Sequence, residues 1–264
     1  MSKKNRIRLG ILTPIVGLVF GLGLNSTNGL AADEISEDAT EILRSMSDYM
    51  GSLESFSYTF DADTEVLLTN GQKLQISSSG ELKVRRPDGF QFARNGGERS
   101  AVIYFDGTTL TFYAEIMNVY YQFESPGTID DAINNLRDEL GIDAAGADLI
   151  YADLYDGIME DVTSADYWGL AVVDGIEAHH LAFREGEVDW QIWVQTGETP
   201  LPLKYIITTK WMTSAPQHSY RLHDWNLNPD FDSELFQFTP PEGSMKVENI
   251  STDHLGEISL GEPQ

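Results

Sequence analysis

Four turn signals, each set between runs of alternating apolar residues, limit what this chain can fold into more than any other feature. Asn70-Gly71 separates residues 64–69 from 72–76, and Asp106-Gly107 separates 101–105 from 108–113. Asp174-Gly175 and Glu185-Gly186 divide 170–173, 176–183 and 188–194 in the same way. Glycine after Asn or Asp accepts the positive φ of a two-residue hairpin turn, and an apolar period of two puts one face of each strand on a core. Hairpins in succession predict a large antiparallel sheet. On its strands Phe56, Tyr58 and Phe60 share a face, as do Val188, Trp190, Ile192 and Val194, and then Leu201, Leu203, Tyr205, Ile207 and Trp211.

In three places the apolar period changes to three and four. Ser36 caps a helix whose first turn carries Glu37 and Asp38, whose face is Ala39, Ile42, Leu43, Met46, Tyr49, Met50 and Leu53, and which ends near Gly51. Thr128 with Asp131 forms a capping pair ahead of Ile129, Ala132, Ile133, Leu136 and Leu140. Asp148 is placed to cap a further run carrying Leu149, Ile150, Leu154 and Ile158. Such faces need a surface to cover, and the sheet supplies it.

At the amino terminus Lys3, Lys4, Arg6 and Arg8 precede an uncharged apolar stretch from Leu9 to Leu24, followed by polar residues and Gly29-Leu30-Ala31. Basic, then apolar, then small is the order of a cleavable secretory signal over residues 1–31, with cleavage after Ala31 or Ala32. The stretch is broken by Pro14 and by Gly17, Gly21 and Gly23 and is shorter than the roughly 20 residues that span a bilayer, so no membrane span is expected after cleavage. Removal of residues 1–31 takes away four basic residues and no acidic one, moving the formal charge from −25 to −29. A chain so acidic repels phosphate, which argues against nucleic acid as a partner. The absence of cysteine excludes disulfides and thiol chemistry. Residues 249–264 are acidic and without periodicity and are expected to form a loose tail behind a single domain over 36–248.

No constellation for catalysis, metal or cofactor emerges, so neither an enzyme nor a cofactor is expected. His179-His180 sits on a strand, where neighbours point to opposite faces and cannot converge on one ion. There is no Gly-x-Ser-x-Gly, no phosphate-binding glycine loop and no His-Glu-x-x-His. Asp189 beside Trp190 and Asp224 beside Trp225 are the carboxylates whose apolar neighbours could raise their pKa; hydrogen bonding at a strand edge is the plainer role. Trp168, Trp190, Trp193, Tyr205 and Trp211 read as core. An unfilled cavity would use the same residue types, and methionines suit its wall because they adapt to varied shapes.

Further motifs carry a resemblance. Phe236-Gln237-Phe238-Thr239-Pro240-Pro241-Glu242-Gly243, followed by Val247, resembles the ending of the LolA/LolB-like superfamily of exported lipoprotein carriers. Residues 175–183, Asp189-Trp190-Gln191-Ile192-Trp193, Pro200-Leu201-Pro202-Leu203-Lys204 and Asp224-Trp225 together resemble a family of predicted periplasmic proteins within it, DUF2092. The element order agrees over about residues 38–247, including Arg86-Pro87-Asp88-Gly89-Phe90 after a strand and the Phe105-Asp106-Gly107 hairpin. The resemblance implies a mainly β (α+β) fold: a strongly curved antiparallel sheet, an incomplete β-barrel, with helices over its concave face. In carriers of this class acyl chains lie between sheet and helices. The implied function is a periplasmic, non-enzymatic carrier of a lipid, a lipoprotein acyl chain or another hydrophobic ligand. Its cavity candidates are Leu43, Met46, Met50, Leu149, Leu154, Ile158, Trp190, Ile192 and Tyr205. The alternative is a sensor or protein-interaction module of the cell envelope, with an envelope protein as partner and no bound lipid.

Overall fold

Among the described residues twelve strands form one sheet in the order β12-β6-β5-β4-β3-β2-β1-β11-β10-β9-β8-β7. In this computed structural model residues 35–97, 100–140 and 146–249 are described, and all lie in one compact unit, 33–264. The expected signal peptide and residues 250–264 of the expected tail lie outside the described residues.

The chain begins with α1 (Glu37–Ser52), and Ser36 accepts a hydrogen bond from the Ala39 N–H as its cap. A first meander follows: β1 (Ser55–Leu67), β2 (Lys73–Arg85), β3 (Gly89–Asn95), β4 (Ala101–Phe105), β5 (Thr109–Ala114) and β6 (Val119–Glu124). The chain then crosses to the far edge through α2 (Ile129–Leu140), a 3₁₀ turn (Ala147–Ile150) and α3 (Leu154–Met159). A second meander returns through β7 (Ser164–Val173), β8 (Ile176–Arg184), β9 (Val188–Gln195), β10 (Pro202–Thr209) and β11 (Gln217–Leu227). The meanders join where β11 pairs antiparallel with β1. A second 3₁₀ turn (Ser233–Phe236) leads to β12 (Met245–Lys246), which pairs with β6 in parallel. The sheet is not closed, since β7 and β12 end it without meeting. No helix among the described residues is long and apolar enough to cross a membrane.

One core lies between the concave face and the helices. Phe56, Phe60, Val84, Phe105, Leu110, Leu181, Trp190 and Ile192 from the strands meet Leu43, Met46, Met50, Ile129, Leu149 and Leu154 from the cover. Burying such side chains contributes about 1.5–3 kcal/mol each. Bulges in β11 between Asn226 and His223, opposite Ser57 and Thr59 of β1, in β7 between Tyr167 and Leu170, and in β10 between Pro202 and Lys204 bend the strands around it.

Several turns differ from the sequence expectation in detail. Asp174-Gly175 forms the two-residue loop, with φ of 50° and 85°. Around Asn70-Gly71, Leu68 bonds to Gln72 and the Gly71 N–H donates to the Leu68 carbonyl, so the loop has three residues and Gly71 takes the left-handed position. The capping pair is present: Thr128 donates from both N–H and hydroxyl to Asp131 Oδ2 at 2.8 Å. The expected helix capped by Asp148 is instead divided. Asp148 lies inside the 3₁₀ turn, whose last carbonyls are taken by Arg86, and Asp153 starts α3 afresh by accepting from the Asp156 N–H. The β10 bulge turns Leu203 away from the main core into a small cluster with Val173, Ala178 and Trp193 on the outer face. Trp211 lies beyond the strand and is exposed, as is Trp168 on the edge strand, so neither is core.

Candidate functional site

An apolar cavity of about 90 Å³ lies between β1–β5, β11 and the cover formed by α2 and the first 3₁₀ turn. Phe60, one of its lining residues, occupies a place left by a missing side chain. Gly80 faces inward on β2, where a Cβ would collide with the Ala93 carbonyl and the Phe60 ring. The Phe60 ring therefore lies across Gly80 and stacks on Phe92 with centroids 5.2 Å apart and planes 4° from parallel. Leu82, Phe90, Phe112 and Leu222 complete the floor; Ile133, Leu136, Leu149 and Ile150 form the roof. These floor and roof residues are buried, whereas Phe92, Arg94, Ile103, Gly146, Ala147 and Tyr220 are half-buried and form the mouth. An apolar void of roughly 150 Å³ stays dry and binds benzene. One of about 90 Å³ has room for no more than a short apolar segment.

The cover is tied to the sheet by few polar contacts. From the end of β2, Arg86 donates to the carbonyls of Ile150 at 3.0 Å and Tyr151 at 3.1 Å. Burial lowers the pKa of its guanidinium, and Asp130 opposes that shift. Asp130 also accepts the Ala152 N–H, and the Tyr151 hydroxyl donates to Asn134, so α2 and the turn hold together. Gly146 opens the turn with φ of 88°, and a Cβ there would sit 3.2 Å from the Tyr220 ring.

The mouth carries the cavity's polar groups. Arg94 is the charged member of the lining. His218 stacks obliquely on Tyr220 at 4.7 Å and shares its Nδ1 with the Thr64 hydroxyl at 2.7 Å, while its buried Nε2 has no hydrogen-bond partner. Burial first, and then the charge of Arg94, push its pKa down to about 4 against a small opposing effect of Asp63, so it is neutral at pH 7. Burial alone pushes the Tyr58 phenol up from its ordinary value. The cavity is thus apolar inside, with one cation at its entrance.

Of the nine residues named from sequence, Leu149 lines this cavity. The others pack elsewhere in the same core. Leu43, Met46 and Met50 on α1 and Leu154 on α3 are buried, as are Trp190, Ile192 and Tyr205 on the strands; Ile158 is half-buried beside them. Trp190 stacks on Phe183 at 3.8 Å and donates its indole N–H to Glu185 Oε1 at 2.6 Å. Sequence reasoning missed Phe60, Phe92, Ile103, Phe112, Arg94 and Tyr220. Its available signal was Gly80 within a strand, a position that marks a close approach of other atoms.

The remaining candidates have structural partners. His179 bonds to the Tyr167 hydroxyl and His180 to Gln191, from opposite faces of β8. Asp189 pairs with Lys210 at 2.8 Å and Arg184 at 3.7 Å. The Asp224 carboxyl is lowered, not raised, because it accepts from His223 and Thr59. The carboxyl that is raised is Glu185, chiefly by burial, which the Trp190 indole partly offsets. No group of three potential metal ligands occurs among the described residues.

Residues 39–249 match the family model described as predicted periplasmic protein (DUF2092). No curated protein matches the sequence. Among solved structures, an uncharacterized conserved protein from Thermus thermophilus is similar at 9% identity, over 80% of this chain and 100% of that one, with a TM-score of 0.49. A LolA superfamily protein from Nitrosomonas europaea is similar at 12% identity, over 76% and 97%, with a TM-score of 0.42. The lipoprotein LppX from Mycobacterium tuberculosis is similar at 13% identity, over 74% and 99%, with a TM-score of 0.38.

Proposed function

We propose that this chain, which belongs to the DUF2092 family of predicted periplasmic proteins, is a non-enzymatic periplasmic carrier that holds a hydrophobic segment, of a lipid or an acyl chain, between its sheet and its helical cover. Residues 1–31 serve as its export signal, 36–248 as the carrier domain and 249–264 as a tail. The single observation that carries this reading is the cavity: an apolar floor of Phe60, Phe90 and Phe112, a roof of Leu136 and Leu149, and a mouth that opens beside Arg94. Ligand sites have this form, an apolar wall with a few convergent polar groups. Its small volume is consistent with a cover that rests on the sheet when empty and lifts on loading.

The test is native mass spectrometry, with organic extraction, of protein purified from the periplasm without detergent. Copurified lipid or acylated peptide near one per protein, lost when Ala101→Leu fills the cavity, is the expected result. A clean apo mass, together with no uptake of added fatty acid by the wild-type protein, would sink the reading.

A further inference from the structure

The edge strand β7 presents a stretch of backbone and apolar surface that the carrier function does not use. Trp168, Leu170 and Val172 on it are 69%, 59% and 70% exposed, and Ile176, at the start of β8, is 42% exposed. Pairing with β8 alternates along an antiparallel strand. The two-residue loop closes on Val173 and Ile176, so Val173 and Ala171 bond to β8, and Leu170 and Val172 turn their N–H and C=O groups outward. At the other end of the strand the chain already uses this edge. Ile35 forms a parallel bridge with Ala165, and the Ser36 N–H donates to the Ala165 carbonyl at 2.8 Å. The edge therefore accepts a strand, and its open length runs from Asp166 to Val173. The stretch is regular on either side of the bulge between Tyr167 and Leu170, and an apolar edge left uncovered among the described residues is a template for strand addition.

The surroundings indicate which strand would fit. Asp166 and Glu177 are exposed and flank the open stretch, and the whole chain carries 42 acidic against 17 basic residues. A second copy would bring together two surfaces of the same sign. We infer that β7 is a docking edge for an extended segment of another envelope protein, with apolar side chains at alternate positions and Lys or Arg at its ends. Main-chain bonds to Leu170 and Val172 supply the attachment; the apolar side chains of Leu170 and Val172 on one face, and of Trp168 across the bulge on the other, supply the contact; the acidic flanks select a basic partner.

The probe is a synthetic peptide of about eight residues, the usual span of a strand, with alternating valine and threonine and a lysine at each end; its glutamate-ended twin is the control. Amide exchange is followed by nuclear magnetic resonance on the whole protein. The lysine peptide is expected to slow exchange at Leu170 and Val172 by roughly tenfold or more and to bind about tenfold more tightly than the twin. Val172→Pro, which removes one outward donor, and the double change Leu170→Lys with Val172→Lys, which leaves the backbone intact, are each expected to weaken binding by about tenfold. Equal binding of the twin, protection at β6 instead of β7, binding unchanged in both variants, or no protection with millimolar peptide would each overturn the inference. So would phosphatidylcholine vesicles that bury Trp168 when the peptide does not.

Discussion

The inner face of the sheet is apolar under both α1 and α2, and the cavity lies under α2, while the side chains under α1 are buried against one another. Under α1, a 16-residue helix places Leu43, Met46 and Met50 over β7–β9, against the stacked Phe183 and Trp190. Flexible methionines adjust to the gaps between larger rings. Under α2 the cover shortens to a 3₁₀ turn, held at its carbonyls by Arg86 and begun by a left-handed Gly146. Opposite, Gly80 contributes no side chain. The void thus lies under the short, tethered part of the cover, over a floor where the Phe60 ring takes the place of a side chain at Gly80.

The largest effect expected from this contrast is on the filled side. Trp190→Ala removes a buried indole from the Phe183 stack and leaves Glu185 without its donor, at a cost of about 3–5 kcal/mol. Urea unfolding measures it. A loss below about 2 kcal/mol would mean that this half is as loosely packed as the other, and the contrast would fail.

The two halves are also expected to respond to pH with opposite signs. His218, on the cavity side, has its pKa lowered from 6.5 to about 4. Its contribution is full above pH 6.5, where both folded and unfolded chains hold it neutral, and is lost as pH falls towards 4, in total roughly 3 kcal/mol. Glu185, on the filled side, has its pKa raised. It contributes below its ordinary pKa and loses that contribution as pH rises through the raised one. Urea midpoints across pH 4–7 should therefore flatten in His218→Phe and steepen in Glu185→Gln. Parallel pH profiles in wild type and both variants would show that neither group is set by its surroundings.

A matched pair of substitutions probes the space itself. Ala165, 1% exposed at the base of β7, and Ala101, 7% exposed on the cavity wall, are both small residues on the core face. Ala165→Leu should cost about 1–3 kcal/mol through overpacking. Ala101→Leu should stay within about 0.5 kcal/mol of the parent, because its added methyls enter the void. Equal costs would mean that the cavity is not available to a side chain, and hence not to a ligand.

The sheet was legible from its turns, while the cavity was not, and the reason is physical. Alternation tells which face of a strand is apolar, as for Phe56, Tyr58 and Phe60, but a face against packed helices and a face against a void use the same residues. Met46 and Met50, which read as cavity wall, are buried at positions that do not line this cavity. The Leu203 reading failed at a bulge, which moves a side chain to the other face without any break in the apolar pattern. Trp168 read as core because a sequence does not show which strand lies at the edge. Only Leu149 joined the two levels, since its place on an apolar helical face and its place on the cavity roof coincide.

The smallest expected effect is at the helix starts and tests whether the looser half also has the looser cover. Both helices are capped, but differently. Ser36 accepts one long bond, 3.4 Å from the Ala39 N–H, whereas Thr128 and Asp131 bond reciprocally at 2.8 and 3.2 Å. Ser36→Ala should cost less than about 0.5 kcal/mol, and Thr128→Ala about 1 kcal/mol. The informative quantity is where the loss appears. If α2 is the part that lifts, Thr128→Ala should speed amide exchange from Asp131 to Leu136 and along the 3₁₀ turn while leaving α1 unchanged, because frayed cover opens locally before the core does. A loss spread evenly over both helices would tie the cavity's cover to the filled core as a single cooperative unit, and loading would then require the whole domain to loosen.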